Sequence, residues 1–184
     1  DLRDADLPAN TYDVIFARWV FLFLPDPAAH VAQLARALKP GGRLAIQDYH
    51  RDTFMVVPKP DDWDDFIRAD RAFFASQGGN VSIGVHLPAL MTRAGLEVTS
   101  IEQTTKEGHP GSVTWNWVTN YVLSVLPRLT PALTPAQAAR LKGDWLVKLP
   151  PQLPRSSSTR GPARWRQTLW KALRPLAVRT TSSG

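Results

Sequence analysis

The stretch from residue 12 to residue 48 constrains the fold more than any other part of the sequence. Residues 12–17 form an apolar run behind a polar turn, which is typical of a buried strand in a parallel sheet. Asp26-Pro27 predicts a helix start, because Asp accepts hydrogen bonds from exposed N–H groups and Pro suits the first helical position. An apolar helical face follows at Val31, Leu34, Ala35 and Leu38. After a turn at residues 39–42, residues 43–48 predict a second strand.

A strand, a helix and a second strand within residues 12–48 predict one βαβ unit, with parallel strands and a right-handed connection. In such sheets, ligands bind outside the carboxyl ends of the strands. Those ends are residues 17–19 and residues 48–50. The sequence therefore predicts an α/β fold with a binding site at these two positions.

The remaining chain to about residue 147 continues as predicted helices with one strand candidate. Aromatic residues within 63–74 and 115–121 indicate either an apolar lid or core packing. A helix start of the capping-box type is predicted at Thr134, with Gln137 three residues later. The predicted helices cover 63–77, 86–93, 115–129 and 134–147, and the strand candidate lies within 96–105.

Composition excludes several classes of protein. The 184 residues suit one domain or a large part of one, and 43% are apolar, which is enough for a packed core. The absence of cysteine excludes disulfides, thiolate-bound zinc and a thiol nucleophile, and we expect a cytoplasmic protein. Four scattered histidines predict no metal site. The longest apolar run, residues 14–24, is too short to span a bilayer.

The charge divides the chain at residue 148. All 16 acidic residues lie in 1–147 with 14 Lys and Arg, whereas 148–184 carry eight basic residues and no acid. The change in composition predicts that the basic segment is a non-homologous or disordered tail. A frameshift in the coding sequence is one way in which such a tail arises. The alternatives are a genuine extension with a short helix at 164–173, and a segment that binds nucleic acid or anionic lipid. A weak strand candidate lies at 176–181.

Three segments in order resemble the class I S-adenosylmethionine-dependent methyltransferases, in particular the small-molecule branch that includes ubiquinone/menaquinone-type enzymes. They are residues 12–18, 24–27 and 34–44, with a weaker match from 87–96 to about 147. The resemblance implies a partial Rossmann-like fold, a mostly parallel sheet with helices on both faces. It also implies S-adenosylmethionine as cofactor and methyl transfer to a small, rather apolar molecule. The alternative is a non-catalytic binding or interaction module.

The resemblance implies that this sequence corresponds to the carboxyl-terminal part of such a domain. The family's Gly-rich loop is not in this sequence. Asp1 matches the family aspartate that accepts from the adenine amine, and Leu2 matches the residue whose N–H meets the ring. We therefore expect activity to require an additional N-terminal part.

The resemblance also implies that Arg18 lines the cofactor pocket, while a structural ion pair with Asp13 or Asp48 is the alternative. Either role supplies the partner that a guanidinium in apolar surroundings needs. Trp19 follows at the strand end and is expected either to wall the cofactor or to fill core.

His50 and His86 are the candidate catalytic residues. Each is placed where a base could take a proton from the substrate as the methyl group is transferred. An exposed loop position for His50 and a capping or surface position for His86 are the alternatives. Methyl transfer from a sulfonium is an in-line displacement, so alignment without a base is a third alternative.

Overall fold

The computed structural model describes residues 4–130, 132–148, 167–174 and 178–180, with the backbone alone for 147, 148 and the last two ranges. The strands are β1 (Tyr12–Arg18), β2 (Leu38–Gln47), β3 (Leu96–Val98), β4 (Glu102–Gly108), β5 (Gln167–Arg174) and β6 (Val178–Thr180). The helices are α1 (Pro27–Ala37), α2 (Trp63–Ser76), α3 (Leu87–Arg93), α4 (Val113–Val125) and α5 (Pro135–Gly143).

The chain divides into two compact units. The first unit takes the described residues within Asp1–Asp52, Phe74–Thr104 and Trp170–Gly184. The second unit takes those within Thr53–Phe73 and Thr105–Leu169. Strands β1, β2, β3 and β6 form a four-stranded sheet, and strands β4 and β5 form a separate two-stranded sheet.

The predicted βαβ unit is confirmed. Strands β1 and β2 pair in parallel, with Ile15 opposite Leu44. Helix α1 begins where the sequence places it, since the Asp26 carboxylate accepts a hydrogen bond from the backbone N–H of Ala29 at 3.0 Å. The predicted turn interrupts the register at the start of β2, and Gly41 adopts a φ of +78° there, which favours glycine.

The four-stranded sheet has the order β1-β2-β6-β3. Strand β6 is antiparallel to both β2 and β3, so β1, β2 and β3 run the same way. The sheet is therefore mostly parallel, as expected, with one antiparallel strand inserted. Strand β6 falls within the weak strand candidate at 176–181. The short helix that one alternative places at 164–173 is wrong over 167–173, because this part of the chain is extended in β5.

The expectation that the first strand is buried is wrong for most of its side chains, since only Ala17 is buried and Ile15 is half-buried. Val14 is 63% exposed and Phe16 is 56% exposed. Ile15 and Ala17, on the other face, pair with the fully buried Leu44 and Ile46. The physical reason is position, because β1 is the edge of the described sheet and one of its faces is open.

Helices α1 and α3 contact each other, α1 contacts β2 and α3 contacts β3.

The single strand candidate at 96–105 is divided in the structure. Strand β3 ends at Val98 and β4 begins at Glu102. The imperfect alternation of the sequence is explained by these two strands, which belong to different sheets. Helix α3 ends as expected before Gly95, whose φ of +83° terminates it.

The second unit is packed around stacked aromatic rings. The Trp63 ring lies 5.7 Å from the Trp145 ring, which lies 5.3 Å from Trp115. These three tryptophans are almost fully buried, so their role is core packing rather than that of a lid. Trp117, two residues beyond Trp115, is 40% exposed, as helical geometry predicts for a different face.

Polar contacts stabilise the start of helix α5 and connect the helix to Asp62 in the second unit. The capping box is formed: Gln137 N–H donates to the Thr134 hydroxyl, and the Thr134 N–H donates to the Gln137 side chain. Arg140 donates two hydrogen bonds of 3.0 Å to the carboxylate of Asp62. The helix ends at Gly143, and a π-helical turn over Asp144–Lys148 completes the stretch predicted as helical to about 147.

Candidate functional site at the carboxyl ends of β1 and β2

The carboxyl ends of β1 and β2 are held together by backbone hydrogen bonds beyond the strands. The Trp19 N–H donates to the carbonyl oxygen of Gln47 at 2.8 Å. Trp19 has a φ of +56°, in the left-handed region that non-glycine residues rarely adopt. This conformation turns the chain sharply at the end of β1, into the segment of residues 19–24 that we call the β1 turn.

Trp19 is the centre of a stack of charged and aromatic groups in the first unit. The Arg18 guanidinium carbon lies 3.9 Å from the centre of the Trp19 ring. The Trp19 and Tyr49 rings are stacked at 5.5 Å, with 11° between their planes. Cation–π contacts of this kind contribute about 0.5–1 kcal/mol at exposed sites. The stack therefore fixes both the indole and the guanidinium at the end of β1.

Arg51 extends the stack on the side of β2. Its guanidinium carbon lies 5.5 Å from the Tyr49 ring and 4.8 Å from the Phe74 ring. Arg51 is buried, whereas Arg18 is exposed. Burial raises the pKa of the Tyr49 hydroxyl well above its usual value, so Tyr49 is a neutral phenol at physiological pH. Tyr49 therefore serves the site as a stacking surface.

The alternative that Arg18 forms an ion pair with Asp13 or Asp48 is not seen in the structure. Asp13 binds Lys39 instead, at 2.8 Å, and Asp48 is occupied by backbone N–H groups. Among the described residues, the Arg18 guanidinium has no carboxylate partner. It is an exposed cation held on an aromatic ring, which suits a bound carboxylate or carbonyl oxygen.

Asp48 is fully buried directly after β2. One carboxylate oxygen accepts the backbone N–H of Phe21 and the other accepts the N–H of Tyr49, each at 2.8 Å. Burial raises the pKa of Asp48 to about 6, and the hydrogen bonds from backbone N–H groups oppose that rise. The carboxyl group is thus mostly ionised at pH 7 and is enclosed by backbone donors.

The two predicted catalytic histidines lie on adjacent segments of the first unit. The Gly84 N–H donates to the carbonyl oxygen of Tyr49 at 2.9 Å, which joins the chain beside His50 to the chain just before His86. His50 is half-buried, with its Nε2 atom 3.7 Å from a carboxylate oxygen of Asp52. His86 is exposed at the start of α3, and its side chain makes no capping hydrogen bond.

The structure therefore brings together Arg18 and Trp19, with Tyr49 connecting them to the segment that carries His50. Asp1 and Leu2, which the resemblance assigns to the adenine, lie outside the described residues. The role of Asp48 as an acceptor for the β1 turn was missed by sequence reasoning, which placed Asp48 beside the substrate or in an ion pair. No local signal points to it, because the Phe21 donor is 27 residues away.

Two further features bear on the kind of site. Over the described ranges, no group of three or more His, Asp and Glu side chains is arranged to hold a metal ion. None of the helices in the described part of the chain combines the length and apolar character that a bilayer crossing requires.

The comparisons with known proteins show the family. A model of a methyltransferase domain matches residues 1–101, more than half of the chain. The chain therefore belongs to this methyltransferase domain family, and the matched range contains Arg18, Trp19, Asp48, His50 and His86.

Two curated relatives are similar in sequence. The chain is 32% identical over 113 residues to the 27-O-demethylrifamycin SV methyltransferase of Amycolatopsis mediterranei (strain S699), covering 60% of this chain and 38% of that protein. It is 38% identical over 61 residues to phosphoethanolamine N-methyltransferase 3 of Arabidopsis thaliana, covering 33% of this chain and 12% of that protein. The matched part of this chain spans well under half the length of either relative.

A solved structure supports the fold. The chain superposes with a TM-score of 0.54 on a crystal structure from Bacillus halodurans C-125 that is provisionally assigned as a methyltransferase. The superposition covers 98% of this chain and 76% of that chain, at 14% identity. At this identity the likeness concerns the fold, which is the mixed, mostly parallel arrangement described above.

Proposed function

We propose that this chain forms the carboxyl-terminal part of a methyltransferase that moves the methyl group of S-adenosylmethionine to a small, rather apolar molecule. Membership of the family supports the reaction class. In this chain, the proposal is supported mainly by the Arg18–Trp19 pair at the end of β1, in which an exposed guanidinium stacks on an indole. It lies where α/β sheets bind ligands.

The residues at the strand ends fit the cofactor's chemistry. The Arg18 guanidinium suits the carboxylate of its amino-acid part, and the Trp19 indole, stacked between Arg18 and Tyr49, is proposed to hold that guanidinium in the cofactor pocket. When bound, S-adenosylmethionine supplies an electrophilic methyl group on a sulfonium. Asp1 and Leu2 are proposed, from the resemblance alone, to bind the adenine.

The chain's own residues would align the acceptor and handle its proton. Phe23, which is 58% exposed and packs against Phe74, offers an apolar surface within the β1 turn. His50 or His86 is proposed to take the proton released by the acceptor atom. The names of the two curated relatives refer to an O-demethylated compound and to N-methylation, so the proposal leaves the acceptor atom open.

A test of the base uses the protein extended N-terminally by its natural sequence, because this chain alone is expected to bind little cofactor. The extended protein is assayed with methyl-tritiated S-adenosylmethionine and a panel of apolar phenols and amines. If a histidine takes the proton, His50→Asn or His86→Asn lowers kcat by about a hundredfold and leaves KM nearly unchanged. If alignment alone suffices, both variants retain kcat within about twofold, and the base assignment is wrong.

The proposal includes the requirement for an additional N-terminal part. Strand β1 is the edge of the described sheet, with Val14 and Phe16 exposed on one face. The sequence also lacks the Gly-rich loop of the resemblance. A preceding segment that pairs with β1, covers Val14 and Phe16 and supplies that loop would complete the cofactor site.

Calorimetric titration of S-adenosylmethionine tests the proposed function. We expect little or no binding by this chain, and clear binding by a protein extended N-terminally by about 60–100 residues of its natural sequence. Absence of binding by both proteins would rule out the enzyme and favour the non-catalytic module.

A further inference from the structure

The β1 turn lacks a local cap for its first N–H groups. Residues Phe21–Phe23 form a short 3-10 helix, and the preceding residue, Val20, has no side chain that accepts a hydrogen bond. The first N–H groups of any helix need partners from outside it. Asp48 supplies one from the end of the neighbouring strand, since its carboxylate accepts the Phe21 N–H at 2.8 Å.

The backbone of Trp19 is held in a conformation that it would not adopt freely. A left-handed φ costs about 1–2 kcal/mol for a residue with a Cβ atom. The last residue of β2 and the residue that follows it hold the turn in place. Gln47 accepts the Trp19 N–H, and Asp48 accepts the Phe21 N–H. The Trp19 conformation is thus fixed on both sides by the end of β2.

The opposite side of the β1 turn is also fixed. The carbonyl oxygen of Leu22 accepts the Asn80 N–H at 2.9 Å, and Gly79 packs directly against the same oxygen. The turn is therefore clamped between the end of β2 and the segment around Gly79. The outcome of this arrangement is the orientation of the Trp19 ring on Tyr49, and of Arg18 on Trp19.

We propose that Asp48 is the positioning residue of this site: its carboxylate holds the β1 turn so that Arg18 and Trp19 face the cofactor. This inference rests on the proposed function for the identity of the ligand. Asp48 acts through the backbone of Phe21 and makes no contact with the cofactor itself.

Stability alone does not account for a buried carboxylate at this position. The burial that raises the pKa of Asp48 disfavours its ionised form even with its backbone donors in place. An ionised group that is costly to bury persists where it serves a geometric requirement, and here that requirement is the Trp19 turn.

The first experiment uses this chain and needs no cofactor. In ¹⁵N-labelled protein, with the Trp19 indole signal identified by its loss in Trp19→Phe, we expect Asp48→Asn to shift that signal. We also expect the Phe21 amide to exchange about tenfold faster with solvent. The indole signals of Trp63 and Trp145 should stay in place and report an intact second unit, and protected backbone amides in the paired strands β1 and β2 should report an intact first unit.

The matched control is Asp13→Asn, which removes an exposed carboxylate of the same unit and leaves the β1 turn bonded. The second variant is Asp48→Leu, which has a similar shape and no acceptor oxygen, because Asp48→Asn leaves one amide oxygen for two backbone donors. An unmoved Trp19 signal in a folded variant, an unprotected Phe21 amide in the wild type, or unfolding of both Asp48 variants would each overturn the proposal.

The second experiment measures S-adenosylmethionine affinity in the N-terminally extended protein. We expect Asp48→Asn to weaken binding by about tenfold and Asp13→Asn to leave it unchanged. Equal affinity of the Asp48 variant and wild type contradicts the positioning role. If the extended wild type itself binds no cofactor, the proposed function fails, while the Trp19 and Phe21 signals still decide whether Asp48 holds the turn.

Discussion

Gly84 and Tyr49 approach each other so closely that no side chain fits between their backbones. A Cβ atom on Gly84 would lie 2.8 Å from the carbonyl oxygen of Tyr49, and the Gly84 N–H already donates to that oxygen at 2.9 Å. The φ of Gly84 lies outside the left-handed region, so glycine is required here for space rather than for conformation. This contact ties the segment beside His50 to the segment just before His86.

Gly84→Ala should therefore destabilise the chain by about 1–3 kcal/mol, because the new methyl group must displace backbone rather than a flexible side chain. Urea unfolding followed by circular dichroism measures the change. Gly143→Ala is the matched control, since a Cβ there meets nothing within 4 Å. At the end of a helix, that change should be neutral or stabilising by up to about 1 kcal/mol. Equal stability of the two variants would contradict the close approach.

Stability should depend on pH through Asp48. Its pKa is raised from 3.8 to about 6 in the folded chain, so the folded state keeps a proton that the unfolded state releases between those values. The contribution of Asp48 to stability is therefore fully present below about pH 4 and is lost as the pH rises through 6. Asp48→Asn removes this dependence.

The measurement compares urea unfolding of wild type and Asp48→Asn between pH 4 and pH 7. The free energy of unfolding of the wild type, relative to the variant, should fall by up to about 3 kcal/mol across this window. Two parallel pH profiles would show that the Asp48 pKa is not raised. Above pH 7 the two profiles should run parallel, because Asp48 is ionised in both folded and unfolded states.

The exposed face of β1 predicts a difference between this chain and the N-terminally extended protein. Replacing both Val14 and Phe16 by Glu should change the unfolding free energy of this chain by less than about 0.5 kcal/mol, since both side chains are exposed. In the extended protein, the same change should cost more than about 2 kcal/mol, because it buries two unpaired charges.

Val113→Glu is the control for this pair. Val113 is 86% exposed in the second unit, and its replacement should be neutral in both proteins. If replacing both Val14 and Phe16 by Glu changes the unfolding free energy equally little in both proteins, nothing covers this face, and the proposed N-terminal pairing is wrong.

The capping box of α5 should be worth about 1 kcal/mol. Thr134→Ala removes the hydroxyl that accepts the Gln137 N–H, and this N–H then has no partner within the helix. Thr130→Ala, an exposed threonine outside the box, controls for the loss of a hydroxyl. Thermal unfolding measures both variants, and matching values would show that the box does not stabilise the helix.

Local signals in the sequence were sufficient for the helix ends and for the βαβ unit. Asp26, Gly41, Gly95 and Thr134 act on backbone groups within a few residues, so their structural consequences can be predicted from neighbouring sequence. The exposure of Val14 and Phe16 could not be predicted in this way. An apolar strand has the same sequence at the centre of a sheet as at its edge, and only the strand order distinguishes the two.

The sequence suggests where the candidate site lies, but it does not reveal the contacts that build it. The rule that ligands bind at strand ends located Arg18 and Trp19. The left-handed φ of Trp19 and the hydrogen bond from Phe21 to Asp48 depend on groups brought together by the β1–β2 pairing. The stack from Arg18 to Arg51 arises for the same reason, since it joins residues after two different strands.

The most direct test of the central claim is the affinity of the N-terminally extended protein for S-adenosylmethionine with and without the Arg18 guanidinium. We predict that Arg18→Ala weakens calorimetric binding by about tenfold or more, through loss of a charge-assisted hydrogen bond. Arg36→Ala, an exposed arginine in the last turn of α1, should leave it unchanged. Equal binding by wild type and both variants would contradict the claim that the ends of β1 and β2 hold the cofactor.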